Sequence, residues 1–240
     1  MKNRILKTVA LFLLLVCATL TSAATPSTII WIPSVDFQGY KSFHLGIDNY
    51  SIDFKNGVGG TAFPTDLGLT VGVLPGSTLQ AEVGVDYFTP LLSPLSLNAK
   101  IGVPEGALTD WAPAIAVGGY DFGFLKNSTD YNIIYGMAGK TFTTIGRLEA
   151  GYFQGNSKLL VDASGHGDNA GILLSWDRQM PEISENLWLA IDYQSGKSSF
   201  GALSYGFSWN FSKNVSVIFA RDVFNADIPS AFTMQLDINI

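Results

Sequence analysis

From Lys41 to the C-terminus the chain alternates, in short runs, between apolar residues and small or polar ones. The clearest runs place Leu67, Leu69, Val71 and Val73 on one parity, then Leu79, Ala81, Val83, Val85 and Tyr87, then Leu95, Leu97, Ala99, Ile101 and Val103. The spacing returns in Ala170, Ile172, Leu174 and Trp176, in Leu187, Leu189, Ile191 and Tyr193, in Leu203, Tyr205, Phe207 and Trp209, and in Phe232, Met234, Leu236, Ile238 and Ile240. A period of two belongs to strands with one face toward an apolar medium. Weaker runs read Phe43, Leu45, Ile47; Ile133, Tyr135, Met137; Leu148, Ala150, Tyr152; and Val215, Val217, Phe219, while the parity from Ala112 to Tyr120 is ambiguous.

These runs predict twelve strands, near residues 42–52, 65–74, 78–88, 95–103, 112–121, 131–142, 145–154, 169–177, 187–195, 200–211, 215–223 and 231–240. Gly, Pro, Asn, Asp and Ser separate them, and no break is wide enough for a second domain, so residues 41–240 read as one all-β unit. An even count brings both ends to the same side, as a closed antiparallel transmembrane β-barrel of about 12 strands requires. Pro75-Gly76-Ser77, Thr143-Thr144 and Ser212-Lys213-Asn214 then fall on one side with the longer turns 104–111 and 178–186. The segments 53–64, 89–94, 122–130, 155–168 and 224–230 fall on the other, as outer loops. Ten residues rising about 3.3 Å each at a tilt near 45° cover about 23 Å, close to the roughly 25 Å apolar band of such barrels. Residues 25–40, with Ile29-Ile30-Trp31-Ile32, precede the first strand and fit a periplasmic segment, a lumen plug or an extra strand.

The polar parity separates a membrane barrel from a soluble one. In water it would carry Lys, Glu and Thr, whereas here it reads Asp66, Gly68, Thr70, Gly72 or Ala202, Ser204, Gly206, Ser208, Asn210, which suits a crowded lumen. The apolar parity of the twelve runs holds a single charge, Arg221, at a strand end where a charge costs about 0–1 kcal/mol instead of the roughly 2–4 at mid-bilayer. Aromatic residues on that parity gather near strand ends and form two expected girdles: Tyr87, Tyr152 and Tyr193 at the outer rim, and Trp176, Trp209 and Phe211 at the inner one.

Composition and the N-terminus add a route to the membrane. Lys2, Arg4 and Lys7 precede the apolar run Val9 to Val16, and small residues follow at Thr21-Ser22-Ala23-Ala24, so residues 1–24 are expected to be a secretory signal peptide cleaved after Ala23 or Ala24. The run is too short for a spanning helix. A lipoprotein would acylate Cys17, but Val16 is bulkier than the small residue expected before such a cysteine. Cys17 is the only cysteine, so no disulfide would remain after cleavage. Loss of three of the 14 basic residues leaves 11 against 20 acidic ones, a net charge of −9, which excludes nucleic acid as a partner. With 47% hydrophobic and 14% charged residues, and no helical span after the signal, the apolar content is explained by strands that meet lipid with every second residue.

In these features the chain resembles Gram-negative outer-membrane β-barrel proteins over residues 41–240. Pro113-Ala114-Ile115-Ala116-Val117-Gly118 followed by Gly146-Arg147-Leu148-Glu149-Ala150-Gly151-Tyr152 is also similar to strands of outer-membrane barrels linked to exopolysaccharide export. The resemblance implies an outer-membrane location, contact with outer-membrane lipid and lipopolysaccharide, and insertion by the barrel-assembly machinery. That class ends on an aromatic residue, usually Phe, where this chain has Ile240.

Candidate chemistry lies on the inward parity. His44, Asp48, Glu82, Asp86, Lys100, Lys140, Arg147, Glu149, Asp192 and Asp237 are expected to line the lumen, with Asp177 beside them. They fit a polar pore selecting small hydrophilic solutes, with the acidic excess favouring cations or neutral molecules, and equally a narrow lumen whose charges pair and close it. The first implies a porin-like passive channel; the second implies a closed structural or export-partner barrel. Ser164-Gly165-His166-Gly167-Asp168 holds triad residue types, but in a loop, whereas triads draw on separate rigid elements, so neither catalysis nor a lipid-modifying enzyme is expected. Two histidines without cysteine fit no common zinc spacing, Asp162, Asp168 and Asn169 match no calcium loop, and the glycines lie at strand period, so no metal and no cofactor is expected.

Overall fold

The computed structural model describes residues 27–53 and 65–240. The expected leader 1–24 and most of the first outer loop lie outside the described residues. Twelve strands form one closed antiparallel barrel: β1 (Phe43–Ile52), β2 (Thr65–Gly72), β3 (Gln80–Thr89), β4 (Leu95–Val103), β5 (Ala114–Gly123), β6 (Asp130–Phe142), β7 (Gly146–Gln154), β8 (Ala170–Gln179), β9 (Leu187–Gln194), β10 (Ala202–Ser212), β11 (Val215–Phe224) and β12 (Ala231–Asn239). Each strand pairs with its chain neighbours, and β1 closes the ring on β12, with Ile47 opposite Leu236 on one side and Leu67 on the other. Closure leaves no open edge, so the strand backbone groups are satisfied within the sheet, the condition for crossing hydrocarbon. The observed strands match the expected ranges to within a few residues.

Alternation then sorts the side chains. Leu69, Val83, Leu97, Ile101, Val117, Leu174, Ile191, Phe207 and Met234 face outward and lie exposed. An apolar surface running around every strand far exceeds the scattered patches that water-soluble monomers expose. It is a lipid-facing belt, and the fold is that of an outer-membrane barrel. Arg221 is an outward charge, at the loop end of β11, and its guanidinium is capped by Asp53 just beyond β1, with Nη1 donating to Oδ1 at 2.9 Å. The paired arginine also holds the Asp53 carboxyl below the usual range for aspartate.

One strand departs from expectation. Ile133, Tyr135 and Met137 of β6 were expected on the lipid side, but they point inward and are buried, while Ile134 and Ala138 face out. The run is apolar on both parities, so alternation alone left its facing open, and the barrel interior at this wall is itself apolar. The ambiguity of β5 has a different source: its inward positions are Ala114 and Ala116, small apolar residues beside the outward Ile115 and Val117, and beyond them Tyr120 and Asp121 share a bulge opposite β4, with Asp121 at φ +56°, which breaks the period of two.

The apolar interior is created by the N-terminal segment. Of the three roles open to residues 25–40, the described part is a plug: residues 27–38 lie inside the barrel before the chain turns into β1. A tight turn, with Ile29 N donating to Ile32 O at 2.9 Å, buries Ile29, Ile30 and Ile32 completely or nearly so. With Val35 they pack on Ile133, Met137, Phe153, Leu173, Trp188 and Ile218, the inward apolar residues of β6, β7, β8, β9 and β11. The segment leaves the lumen across Gly72, where any side chain would strike the Gln38 and Gly39 carbonyl oxygens at 2.4 and 2.0 Å. Only glycine fits beneath that crossing.

Candidate functional site

Several of the lumen's charges bind the plug. Asp192 of β9 accepts the backbone N–H groups of Ile30 and Trp31 at 2.8 Å each, with that of Ile32 at 3.4 Å. One carboxylate thus satisfies the donors of a turn that could pair with nothing else inside an apolar cradle. From the opposite wall Gln235 Nε2 donates to Ile30 O at 2.9 Å, and Trp31 Nε1 reaches Phe200 O at 2.8 Å.

Two cations hold the rest of the segment. Arg147 of β7 meets Asp36 of the plug at 2.7 Å, donates to Asp177 Oδ1 at 2.8 Å, and lies 3.0 Å from Glu149 Oε1. Trp188 Nε1 donates to the second Asp177 oxygen at 3.1 Å. Three carboxylates therefore share one buried guanidinium, a geometry for which arginine's planar fork is suited. Lys100 of β4 sits 3.2 Å from Glu82 of β3, donates to Ser34 O at 3.2 Å and lies over the Phe37 ring. Glu82 in turn accepts the Gln38 N–H at 2.7 Å. Near the exit of the segment His44 Nε2 lies 3.4 Å from Asp237, and its Nδ1 is 3.0 Å from Asn239 Oδ1, which also receives Gln38 Nε2.

What the plug does not fill is a cavity of about 440 Å³ against β1 to β5. Its lining carries Asp48, Asp66, Asp86 and Asp121 together with the rings of Tyr50, Trp31, Tyr131 and Phe200. It extends to Leu91, Ser93, Thr129 and Ser199 of the loop-end connections, so among the described residues it reaches the loop end. Room is made by the wall itself: Gly46 and Gly68 are opposite each other in the β1–β2 ladder and lack side chains where neighbouring positions project inward. Asp48 stands directly opposite Asp66, and Asp86 lies beside Gly68 and Ser96 in the flanking ladders. Asn98 Nδ2 donates to Asp86 at 2.6 Å; no lysine or arginine lies within ion-pair distance of these four carboxylates among the described residues.

Sequence-expected residues thus divide into two groups. Glu82, Lys100, Arg147, Glu149 and Asp192 gather around the plug, and Asp48 and Asp86 line the open cavity, with His44 and Asp237 where its wall meets the segment. Lys140 is a correction: it lies on the outward parity at the turn end of β6, opposite Leu148, and pairs with Glu105 at 2.8 Å in the β4–β5 connection. Its assignment inherited the inverted β6 parity. Asp66 stood on the polar parity, and Asp121 was hidden by the bulge; neither had been singled out. Tyr87, Tyr152 and Tyr193 stand on the outer wall toward the loop ends of their strands, and Trp176, Trp209 and Phe211 toward the turn ends. In the β7–β8 loop, His166 is 83% exposed and faces Asp162 at 3.8 Å, whereas Asp168 accepts the Lys197 backbone N–H, so Ser164, His166 and Asp168 are not assembled as a triad.

No protein-family model matches the sequence, and no curated protein matches it. Solved structures do resemble the fold, and outer-membrane porins and channels are among them. The KdgM porin superposes with a TM-score of 0.52 at 6% identity, over 81% of this chain and 98% of that one. An outer-membrane channel from Pseudomonas putida F1 gives 0.47 at 10% identity over 93% and 100%, and the NanC porin 0.45 at 11% over 81% and 98%. The likeness is one of fold.

Proposed function

We propose that this chain is a porin-like passive channel of the outer membrane, exported through its N-terminal signal and narrowed by its own plug, that admits small hydrophilic solutes, cationic or neutral in preference to anionic. The observation that carries it is the cavity of about 440 Å³ that carries Asp48, Asp66, Asp86 and Asp121 on its wall and, among the described residues, reaches the loop end. A lumen built only to be closed would be filled by paired charges and apolar packing throughout, as the β6–β11 side is. Here one side is packed and the other is left as an acidic vestibule, whose field concentrates cations and repels anions. The six rings on the outer wall would anchor the barrel at the two membrane interfaces. The role is one of binding and passage, not catalysis.

Planar-bilayer recording tests this reading. The protein is expected to give discrete conductance steps, and a KCl gradient to give a reversal potential of the sign for cation preference. Removing residues 27–40 should enlarge the steps. A barrel that stays ion-tight with and without the plug would rule the channel out and leave a closed, structural or export-partner role.

A further inference from the structure

The side of the lumen that the plug leaves open is lined by two chemically different sets of groups. Asp48 and Asp66 are directly opposite across the β1–β2 ladder, with Asp86 on the next strand and Asp121 on the β5 bulge. Like charges at directly paired positions destabilise a sheet, so this row is held at a cost that a bound cation would relieve. The lining is also aromatic: Trp31 of the plug lies 6.3 Å from Phe200, which lies 4.8 Å from Tyr131, and Trp31 also meets at 5.7 Å the ring of Tyr50, two residues along β1 from Asp48.

A second observation points to an occupant. Ser96 lines the cavity beside Asp86, is 3% exposed, and its hydroxyl has no hydrogen-bond partner among the described residues; Asp66 Oδ1 is likewise buried without one. Buried polar atoms of this kind are expected to be satisfied. The volume lies within the roughly 300–1,000 Å³ of small-molecule sites. No three acidic or imidazole side chains among the described residues converge closely enough to hold a metal ion, so the negative charge is spread along a wall instead of focused on a point.

We infer that this cavity is a binding site for an organic ammonium ion bearing an aromatic or apolar body: the ammonium group on the Asp48, Asp66 and Asp86 row, within reach of Ser96, and the body against the Trp31, Tyr131 and Phe200 rings. Carboxylates supply the charge, and ring faces attract both a cation and the CH groups next to it. The inference rests on the reading of the cavity as space that solutes enter, and it narrows that reading to one class of solute.

Calorimetric titration of the purified barrel in detergent at neutral pH tests it with benzylamine, benzyl alcohol, benzoate and calcium chloride as probes. Benzylamine is expected to bind saturably and the alcohol and benzoate not to. Changing Asp48, Asp66 and Asp86 together to Asn should weaken benzylamine by about tenfold or more. Gly46→Leu fills the cavity without removing a charge, because its Cβ would meet nothing closer than 3.6 Å, and should abolish binding as well. Absence of benzylamine binding, equal binding of benzyl alcohol, an unchanged affinity in the triple variant, or displacement of the amine by calcium would each overturn the site. The titration needs no conductance: a barrel that binds benzylamine but is silent in bilayers removes the channel and keeps the site, and a conducting barrel that binds none does the reverse.

Discussion

Replacing Asp192 with Ala should release the plug while leaving the barrel assembled. The carboxylate is 1% exposed and receives two backbone N–H groups at 2.8 Å, the third at 3.4 Å being too long to add much. Hydrogen bonds to a charged group are worth about 1.5–3 kcal/mol each. Two of them give about 3–6 kcal/mol, from which relief of the buried carboxylate's desolvation subtracts a part, leaving roughly 2–4 kcal/mol against the docked segment. At 1.4 kcal/mol per factor of ten, the undocked population rises roughly 30- to 700-fold. Ser34→Cys, at a plug position with 0% exposure, reports this in a Cys17→Ser background that leaves one thiol. A hydrophilic maleimide reaches that thiol only when the segment lifts, so its labelling rate follows the undocked fraction. Equal labelling in Asp192→Ala and its parent, with the barrel still shifting on a gel between unheated and heated samples, would show that Asp192 does not hold the plug.

Arg147→Met leaves Asp36, Glu149 and Asp177 without their shared cation and should destabilise the barrel by about 3–5 kcal/mol, read as a lower midpoint in urea, with Arg147→Lys recovering part of the loss. Leu189→Arg and Val71→Arg put a charge on the lipid face and should each cost about 2–4 kcal/mol in refolding into vesicles, whereas Ser204→Arg, inward and 0% exposed, should change conductance or plug docking; equal tolerance of all three would contradict the facing assignment. The Asp53 carboxyl should titrate below the usual aspartate range by NMR in micelles. Because its folded value is depressed, any support the Arg221 pair gives is present above the ordinary aspartate range and lost as pH falls through the lowered value; Arg221→Gln should return the titration to normal.

The strand count, the ranges and the facing of eleven strands were legible from the sequence wherever one parity was clearly apolar, with β5 legible only in part. The sheet ladder makes facing a local property: in Leu203 to Trp209 or Leu187 to Tyr193 each residue's environment is set two positions away. Site partners were not legible in the same way. That Asp192 serves the backbone of residues 30–32, or that Arg147 gathers Asp36 with Asp177, depends on where a segment without periodicity settles, and no spacing in the chain encodes a contact across 160 positions. Lys140 shows the hazard of carrying parity into a run that lacks it.

The exception at β6 nevertheless has a rule behind it. An aqueous lumen gives strands that are apolar on one parity only, and β1 to β4 keep to this at mid-height with Gly46, Asp48, Gly68, Thr70, Glu82, Asp86, Asn98 and Lys100. Where large apolar residues intrude on the inward parity, water must be replaced there by something equally apolar. Ile133, Met137, Phe153, Leu173, Trp188 and Ile218 are those intrusions, and all belong to β6, β7, β8, β9 or β11. They trace the footprint of Ile29, Ile30, Ile32 and Val35 on the wall, and their absence from β1 to β4 at that height marks the side left open. The same residues that blur the alternation therefore say which wall is covered, and the acidic cavity lies against the wall where the alternation is clean.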